Sequence, residues 1–594
     1  MKTIVCSILL IIGLLAPPQA AGFKVSGVVK DDEGLEVIGG SVKVKGHANM
    51  GVITDIDGRY TIDVPSAKES VLEFTLVGMM PLEVKVNGKS TIDVTLRPDS
   101  KVLNEVVVVG YGTQKRSDLT GSVVSVKSKD LQTTPTSDPL QALAGKAAGV
   151  MITQDDGEPG AAISVRVRGG ISITQSNEPL YIIDGFPSED GLAGISPSEI
   201  ETIDVLKDAS ATAIYGARGA NGVVVVTTKK GNDDDASLQI TFDAYAGVRK
   251  VSRKLAVLDV QEFLLLDYER SLAFNGQAGV TGFQNRYGSF ADIAKNYADR
   301  PGIDWQKEAL GRTASTQNYH VGINGGTKDV KYNFNYTYSK DQGSMILSGT
   351  NKHTVSLGVS QTNRKWLAFN AKATYTEQRT WGMGTSDQST RFNKMEHIIQ
   401  YRPTAGIYGD DNSLLTGNDM LEDDDQNPMQ SPIISANEED HDRITRNVLI
   451  NGGFTLTFNK YFSFRNSTGY RYQMDHREDF YGEKSVIGKR SSIQSTSQYN
   501  ESTQFQTSNV LTYNNRHKYH KLTVMLGQEW VDNRARWMRA VVKNYPNNDI
   551  GSADASLGTP ESVTSNVNYD NKILSFFGRA NYSIGDKYLF TATL

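Results

Sequence analysis

Cysteine is almost absent from this chain of 594 residues, since Cys6 is the only one. Cys6 lies inside the apolar run that opens the sequence, too early to be a lipid-attachment cysteine beside a cleavage site. A mature chain without thiols forms no disulfide, binds no metal through cysteine and has no cysteine nucleophile. These classes of stabilisation and chemistry are therefore excluded.

Long apolar runs are also lacking, and the mean hydropathy is -0.38. The run from Ile4 to Leu15 is closed by Pro17 and Pro18 before it reaches the roughly 20 residues that a transmembrane helix needs. With Lys2 before it and small residues after it, segment 1–21 has the layout of a secretory signal peptide. A bundle of membrane helices is excluded, so any membrane crossing must use a β-barrel.

No excess of either charge is present. The 62 Lys and Arg residues stand against 67 Asp and Glu residues, for a formal net charge of -5. This balance gives no reason to expect a nucleic-acid partner. The 8 histidines form no metal-ligand cluster, and neither GxSxG nor HExxH occurs. We therefore expect no metal, no cofactor and no enzyme activity.

Glycine and tyrosine are abundant, with 55 and 26 residues, which suits many strands and turns. Short β-forming runs separated by turn signals predict a small β-sandwich over 23–97. Within it, Asp57-Gly58 is expected to form a hairpin turn, because the spacing after Asp55 does not match a calcium loop.

A compact mixed α/β domain is predicted over 115–231. Helix-start signals at Ser137 and Pro139 predict a helix that ends at Gly149. Three β-branched runs alternate with glycine-marked turns. These runs are Ile163 to Val167, Leu180 to Ile183 and Val223 to Thr228.

Period-two alternation dominates the region 236–594. In Val330 to Ser339, every second residue is Val, Tyr or Phe, and the residues between them are polar. Similar alternation occurs over about 367–375, 448–458 and 574–584. It fits an antiparallel transmembrane β-barrel with apolar side chains toward lipid, but a soluble sandwich also alternates.

Loop lengths favour the barrel, because tight turns on one side and long loops on the other are typical of it. Long polar excursions are expected over about Lys250 to Ser315, Arg379 to Arg443 and Asp532 to Asn571, the second of which holds the acidic cluster Glu422 to Asp425. Tight turns are expected at Gly325 to Lys328, Gln361 to Lys365, Asn459-Lys460, Asn514 to Lys518 and Gly585 to Lys587.

The alternating region holds roughly 11 strands, against about 22 for large plugged outer-membrane transporters. The barrel is therefore expected to be incomplete, and the chain to be truncated or part of a split gene. Its fold class is mainly β: a β-sandwich, a mixed α/β domain and a partial barrel.

The mixed domain resembles the plug of the SusC/RagA family of TonB-dependent outer-membrane transporters. The resemblance rests on the IDG turn at Ile183, Asp184 and Gly185 and on the block LKDASA that starts at Leu206, and it extends over nearly the whole chain. The sandwich looks like the non-catalytic carboxypeptidase-regulatory-like domain of such proteins. The plug residues that the resemblance singles out are Arg166, Arg168, Gly169, Asp184, Gly185, Lys207, Asp208, Tyr215, Gly216, Arg218 and Gly219.

Segment 98–114 is a polar hinge followed by a stretch that resembles the family's TonB box. A four-valine run can add its backbone to a partner's exposed sheet edge. In isolation an ordinary edge strand of the plug explains it better, but its place between the sandwich and the plug reverses that preference. The box comprises Glu105, Val106, Val107, Val108, Val109, Gly110, Tyr111 and Gly112.

Three plug arginines, Arg166, Arg168 and Arg218, allow two interpretations. Each can pair with acidic groups on the inner barrel wall, or each can be a solvated charge on a strand face. The sequence alone favours neither.

The resemblance implies active import across the outer membrane. TonB, energised through ExbB and ExbD, would act on the Val106 to Tyr111 region, and a SusD-like surface lipoprotein would deliver substrate. The substrate expected is an oligosaccharide, with a peptide as the main rival. A secreted or surface β-protein that binds a polymer without transporting it is the alternative from another class, and a surface hydrolase is the weakest.

Overall fold

The computed structural model describes most of the chain after the expected signal peptide 1–21, which lies outside it, as do Asn232 to Asp235 and Glu422 to Asp425. The chain divides into two compact units, one covering 1–107 and 113–119 and the other 108–112 and 120–594. The described residues are 23–31, 36–37, 39–47, 50–76, 79–96, 106–109, 112–115, 123–154, 157–161, 163–170, 172–188, 191–192, 194–229, 238–299, 302–327, 329–362, 364–382, 394–404, 431–517, 520–549, 551–585 and 588–594.

The first unit contains a small β-sandwich, as predicted. Its strands are β1 (Phe23–Lys30), β2 (Ser41–Val44), β3 (Gly51–Ile53), β4 (Arg59–Val64), β5 (Val71–Thr75), β6 (Leu82–Lys85) and β7 (Val94–Thr95). One sheet has the order β4-β1-β7 and the other β3-β2-β5-β6. Alternate residues of both sheets share one buried core, in which Tyr60 meets Phe74 edge to face at 5.4 Å.

The turn at Asp57-Gly58 differs from the expected hairpin. It joins β3, which pairs with β2, to β4, which pairs with β1, so the chain changes sheets there. Asp55 Oδ1 accepts hydrogen bonds from the backbone N–H of Asp57 at 3.0 Å and of Arg59 at 2.7 Å. Backbone bonds from Gly58 N to the Asp55 carbonyl and from Asp55 N to the Arg59 carbonyl, both 3.0 Å, close the same turn.

Two short strands follow, β8 (Val106–Val109) and β9 (Gly112–Lys115). They pair with each other as a two-stranded sheet. Glu105, Gly110 and Tyr111 lie outside the described residues.

The plug region of the second unit is built on a five-stranded sheet. Its strands are β10 (Val123–Lys127), β13 (Leu180–Ile183), β14 (Phe186–Ser188), β15 (Ile200–Leu206) and β16 (Val223–Thr228), in the order β10-β15-β16-β13-β14. Strands β11 (Val150–Gln154) and β12 (Ile163–Val167) form a separate antiparallel pair. Short helices α1 (Ser128–Leu131), α2 (Pro139–Leu143) and α3 (Ala209–Thr212) pack around them.

Helix α2 is shorter than predicted and has a different cap. Asp138, not Ser137, is its N-cap, and Asp138 Oδ1 accepts from Leu140 N at 2.7 Å. The helix ends at Leu143 because Gly145 follows with a left-handed φ of 75°, well before Gly149.

The rest of the second unit is an eleven-stranded antiparallel sheet, here called the wall, in which each strand pairs with its neighbours in sequence. Among the described residues no pairing joins its first strand to its last. The strands are β17 (Gln239–Arg249), β18 (Ala314–Gly326), β19 (Val330–Gln342), β20 (Gly349–Gln361), β21 (Leu367–Trp381), β22 (Glu439–Thr457), β23 (Phe462–Tyr481), β24 (Gln494–His517), β25 (His520–Lys543), β26 (Thr559–Ile584) and β27 (Tyr588–Thr593).

The wall buries its polar face and exposes its apolar face. In β19, Asn333 and Asn335 are 6% and 5% exposed, whereas Val330 and Tyr332 are 42% and 47% exposed. A soluble sandwich buries the apolar face instead. The burial pattern therefore supports the barrel interpretation of the alternation, with the apolar side toward lipid.

The connections are short at one edge of the wall and longer at the other, as expected. The long edge carries helices α4 (Val260–Tyr287), α5 (Phe290–Tyr297), α6 (Trp305–Leu310), α7 (Lys394–Gln400), α8 (Pro432–Glu438) and α9 (Val486–Arg490). The excursion from Lys250 to Ser315 is thus largely helical. Asp259 caps α4 in a reciprocal capping box with Glu262.

The prediction of a long loop from Asp532 to Asn571 is wrong. Strands β25 and β26 pair through most of it, and only residues 544–558 connect them. These strands have 24 and 26 residues, far more than the roughly 9–11 that cross a bilayer. The end of β25 and the start of β26 look like a loop in the sequence. Polar side chains are tolerated on both faces of a strand once it leaves the apolar band.

In the described part of the chain, no helix combines the length and the apolar character that a bilayer crossing requires.

Replacement of Phe576 by Arg should weaken the wall in lipid. Phe576 is 75% exposed on the apolar face, and an arginine near the bilayer midplane costs about 2–4 kcal/mol. Urea unfolding in lipid vesicles measures the loss, with Phe576→Leu as the matched control. Equal stability of the Arg and Leu variants would contradict the outward orientation.

Candidate functional site

The IDG turn is a two-residue hairpin connection between β13 and β14. Asp184 and Gly185 have φ values of 50° and 90°, the left-handed pair that favours Asp-Gly. The Asp184 carboxylate accepts hydrogen bonds from Thr228 N at 2.9 Å and from Thr228 Oγ1 at 2.6 Å. The turn therefore holds the ends of β13 and β16 together.

The LKDASA block ties the β11–β12 pair to the five-stranded sheet. Lys207 Nζ donates to the carbonyl of Ala148, and the Asp208 carboxylate pairs with Arg168. Arg168 and Gly169 turn the chain with φ values of 57° and 97°. Arg166 is exposed on β12. Two of the three arginines thus remain within the plug.

Arg218 joins the plug to the wall. It follows the kink at Gly216, where φ is 60°, and it pairs with Glu529 on β25. The Glu529 side chain is only 3% exposed, and its other oxygen accepts from Gln506 Nε2 at 2.9 Å. In the same segment Tyr215 is buried, and a Cβ at Gly219 would lie 2.9 Å from the Thr212 carbonyl oxygen.

A second polar contact between plug and wall was not predicted from the sequence. Glu199, 1% exposed before β15, accepts from Ser356 Oγ of β20 at 2.6 Å. Lys372 Nζ of β21 lies 3.6 Å from Glu199 Oε2 and 4.0 Å from Asp184 Oδ2, and it donates to Thr228 Oγ1 at 3.0 Å. Nothing local in the sequence distinguishes Lys372 from other strand lysines.

An apolar contact lies beside this cluster. Phe186 of β14 is buried, and its ring occupies the space that a side chain at Gly469 of β23 would need. A small cavity lies between Phe186 and wall residues such as Asn447 and Arg471. It has room for about one water molecule, so the plug fits closely on this side.

The TonB-box residues are only partly described. Val106 to Val109 form β8, and Gly112 begins β9. The extended backbone of this segment agrees with a role in strand addition but does not test it, and the role stays a prediction.

Among the described residues, no group of three or more His, Cys, Asp or Glu side chains is arranged to hold a metal ion. The plug-to-wall contacts are ion pairs and hydrogen bonds between a folded domain and a sheet. Such an arrangement can hold and release a domain, and it requires no covalent chemistry.

An α/β plug held against the polar face of an outward-apolar antiparallel sheet defines a plugged receptor of the outer membrane. Residues 115–223 match the TonB-dependent Receptor Plug Domain, and residues 25–108 match the CarboxypepD_reg-like domain. The chain is 31% identical over its whole length to TonB-dependent receptor P3 of Formosa agariphila, of which it covers 56%. It is 36% identical to TonB-dependent receptor SusC of Bacteroides thetaiotaomicron over 59% of this chain and 33% of SusC.

The fold is similar to that of the RagAB peptide importer in its open-open state, with a TM-score of 0.66 at 23% identity, over 82% of this chain and 56% of that one. The chain spans about half the length of two curated relatives, P3 and TonB-dependent receptor P26 of Formosa agariphila. It belongs to the SusC/RagA family of TonB-dependent receptors, a family of outer-membrane β-barrel proteins and not of enzymes.

Replacement of Arg218 by Met should destabilise the plug in the wall. It removes the Arg218 guanidinium from the buried Glu529 carboxylate, and loss of one partner of a buried ion pair costs up to about 3–5 kcal/mol. Arg168→Met is the control, because the Arg168–Asp208 pair is half exposed and such pairs contribute about 1 kcal/mol or less. Thermal unfolding measures both variants, and equal losses would argue against a special role for Arg218.

Proposed function

We propose that this chain forms part of a TonB-dependent importer of oligosaccharides in the outer membrane. The observation that carries the proposal is the plug itself, which covers the polar face of the wall. It is held there by the pair of Arg218 with the buried Glu529 and by the pair of Lys372 with the buried Glu199. A path along that face opens only when these contacts break. An external energy source is therefore needed, and TonB with ExbB and ExbD would supply it.

The proposed contact with TonB is the segment Glu105 to Gly112. Its backbone in β8 would add to an exposed sheet edge of TonB, and a pull on it would reach the plug that follows. The proposed domains are a sandwich over 23–97, the hinge and TonB box over 98–114, the plug over 115–231 and the wall over 236–594.

A SusD-like surface lipoprotein is the proposed partner at the long-loop edge. Helix α4 exposes large apolar side chains there, and exposed apolar groups of this kind are typical of protein contact surfaces. They are Leu265, Leu266, Leu272 and Phe274. Outer-membrane lipid would contact the apolar face of the wall below.

An oligosaccharide is favoured by the polar face of β22–β24, beyond the cavity. An ion pair lies on this face: Asp475 accepts from Arg443 Nε at 2.7 Å and Nη2 at 3.1 Å, and from Thr445 Oγ1 at 2.8 Å. Neutral amides such as Asn500 and Gln504 share this face. A wall of paired charges and amides suits neutral hydroxyl groups, whereas the charged ends of a peptide would need unpaired charges. A peptide remains the second candidate, since RagAB is described as a peptide importer.

Proline at Val108 should abolish uptake in a full-length version of the protein while surface binding of substrate persists. Proline removes one backbone donor from the strand that would pair with TonB. Val108→Thr is the control, because it keeps both the N–H group and a β-branched side chain. Uptake of labelled oligosaccharide and of labelled peptide by whole cells is compared with binding at the cell surface.

Undiminished uptake by the Val108→Pro variant would refute the TonB-box assignment. Binding without energy-dependent uptake in the unmodified protein would instead favour a surface protein that binds a polymer. Uptake of the peptide alone would correct the substrate class.

A further inference from the structure

Three strand ends of the plug converge on neighbouring strands of the wall. The β13–β14 turn supplies Asp184, the end of β16 supplies Thr228, and the start of β15 is preceded by Glu199. Opposite them, β20 supplies Ser356 and β21 supplies Lys372. Just beyond β16, the carbonyl of Lys229 accepts from Asn333 Nδ2 of β19 at 2.7 Å. One end of the plug sheet, where β13 and β16 finish and β15 begins, is thus attached to three consecutive wall strands.

Lys372 supplies a positive charge to two carboxylates of this cluster. Asp184 and Glu199 bring two carboxylates to the boundary, and their side chains are 14% and 1% exposed. Lys372, with an 11% exposed side chain, is the ammonium group that lies within 4.0 Å of both. Removal of one partner from a buried charge cluster is far more damaging than removal of an exposed pair, because the remaining charges stay desolvated. Lys372 is therefore the position on which the attachment depends.

The same hairpin is also held by shape. An ideal Cβ at Gly469 would lie 2.2 Å from a ring carbon of Phe186. Phe186 follows the Asp184-Gly185 turn directly, so it fits against β23 on the same side of the plug. Charge and packing thus hold the same hairpin independently.

The β11–β12 pair packs on the plug core through Val165 and Val167, but its polar links to the plug sheet are more exposed than those of the β13–β14 hairpin. Its link to the plug sheet through Arg168 and Asp208 leaves those side chains 53% and 28% exposed. Lys207, which donates to the Ala148 carbonyl, is only partly buried. Regions with exposed contacts open locally before regions with buried ones.

We propose that the β13–β14 hairpin, fastened by Lys372 and Gly469, is the fixed anchorage of the plug on the wall, and that the β11–β12 side moves first when the plug is displaced. The second part rests on the proposed function, since displacement is what an importer requires. The anchorage itself is a property of the resting protein, and Lys372 is a positioning residue in it.

Hydrogen–deuterium exchange on the full chain in lipid vesicles tests the anchorage, and it needs neither TonB nor substrate. In the unmodified protein, peptides that cover 180–188 and 223–228 should exchange more slowly than peptides that cover 150–154 and 163–167. Lys372→Met should accelerate exchange in the first pair by about tenfold or more and leave the second pair unchanged. Lys372→Arg should retain most of the protection, and exposed Lys365→Met is the matched control.

Gly469→Ala tests the packing of Phe186 against β23 without altering any charge. It should accelerate exchange at 180–188, whereas Gly578→Ala, whose Cβ would meet nothing nearer than 3.4 Å, should not. The proposal is overturned if β11 and β12 are the slower pair, if Lys372→Met changes nothing, or if it accelerates the whole plug equally. Failure of an uptake assay would leave this result intact, so the two claims fail separately.

Discussion

Backbone groups that face lipid must find their hydrogen bonds within the protein, and this constraint shapes the second unit. Between neighbouring wall strands it is met by antiparallel pairing, and the side chains of these strands alternate between lipid and the plug side. The alternation gathers asparagine, threonine, serine and charged groups on the inner face, as Asn333, Ser356 and Lys372 show. A polar face of that size must be covered by water or by a polar partner, and much of it here is covered by the plug.

The plug is therefore held by interactions that differ from those of an ordinary core. Its own interior is apolar, built from β-branched residues of β13, β15 and β16. Its described boundary with the wall includes the ionic contacts of Arg218 and Lys372 and the close packing of Phe186. Loss of one partner from a buried ion pair is costly because the other charge stays desolvated, which suits a domain that must stay in place at rest.

Local features were predictable because local chemistry determines them. The three plug strands match their predicted bounds, and the IDG turn follows from the left-handed preference of Asp-Gly. Contacts between distant residues were not predictable: Arg218 and Glu529 are 311 positions apart, and Lys372 looks like any strand lysine. The outer parts of β25 and β26 were mistaken for a loop because their side chains are polar and two register shifts disturb the pairing there.

The central claim is that one face of the wall meets lipid and the other meets the plug. Phe576 and Phe577 test it directly, because they are neighbours on β26 at the same depth and point to opposite faces. Each would be replaced by Trp in a variant whose 5 native tryptophans are changed to Phe, and the protein placed in vesicles of brominated lipid. We expect strong quenching of the tryptophan at 576 and little at 577. Equal quenching at both positions, or stronger quenching at 577, would contradict the account.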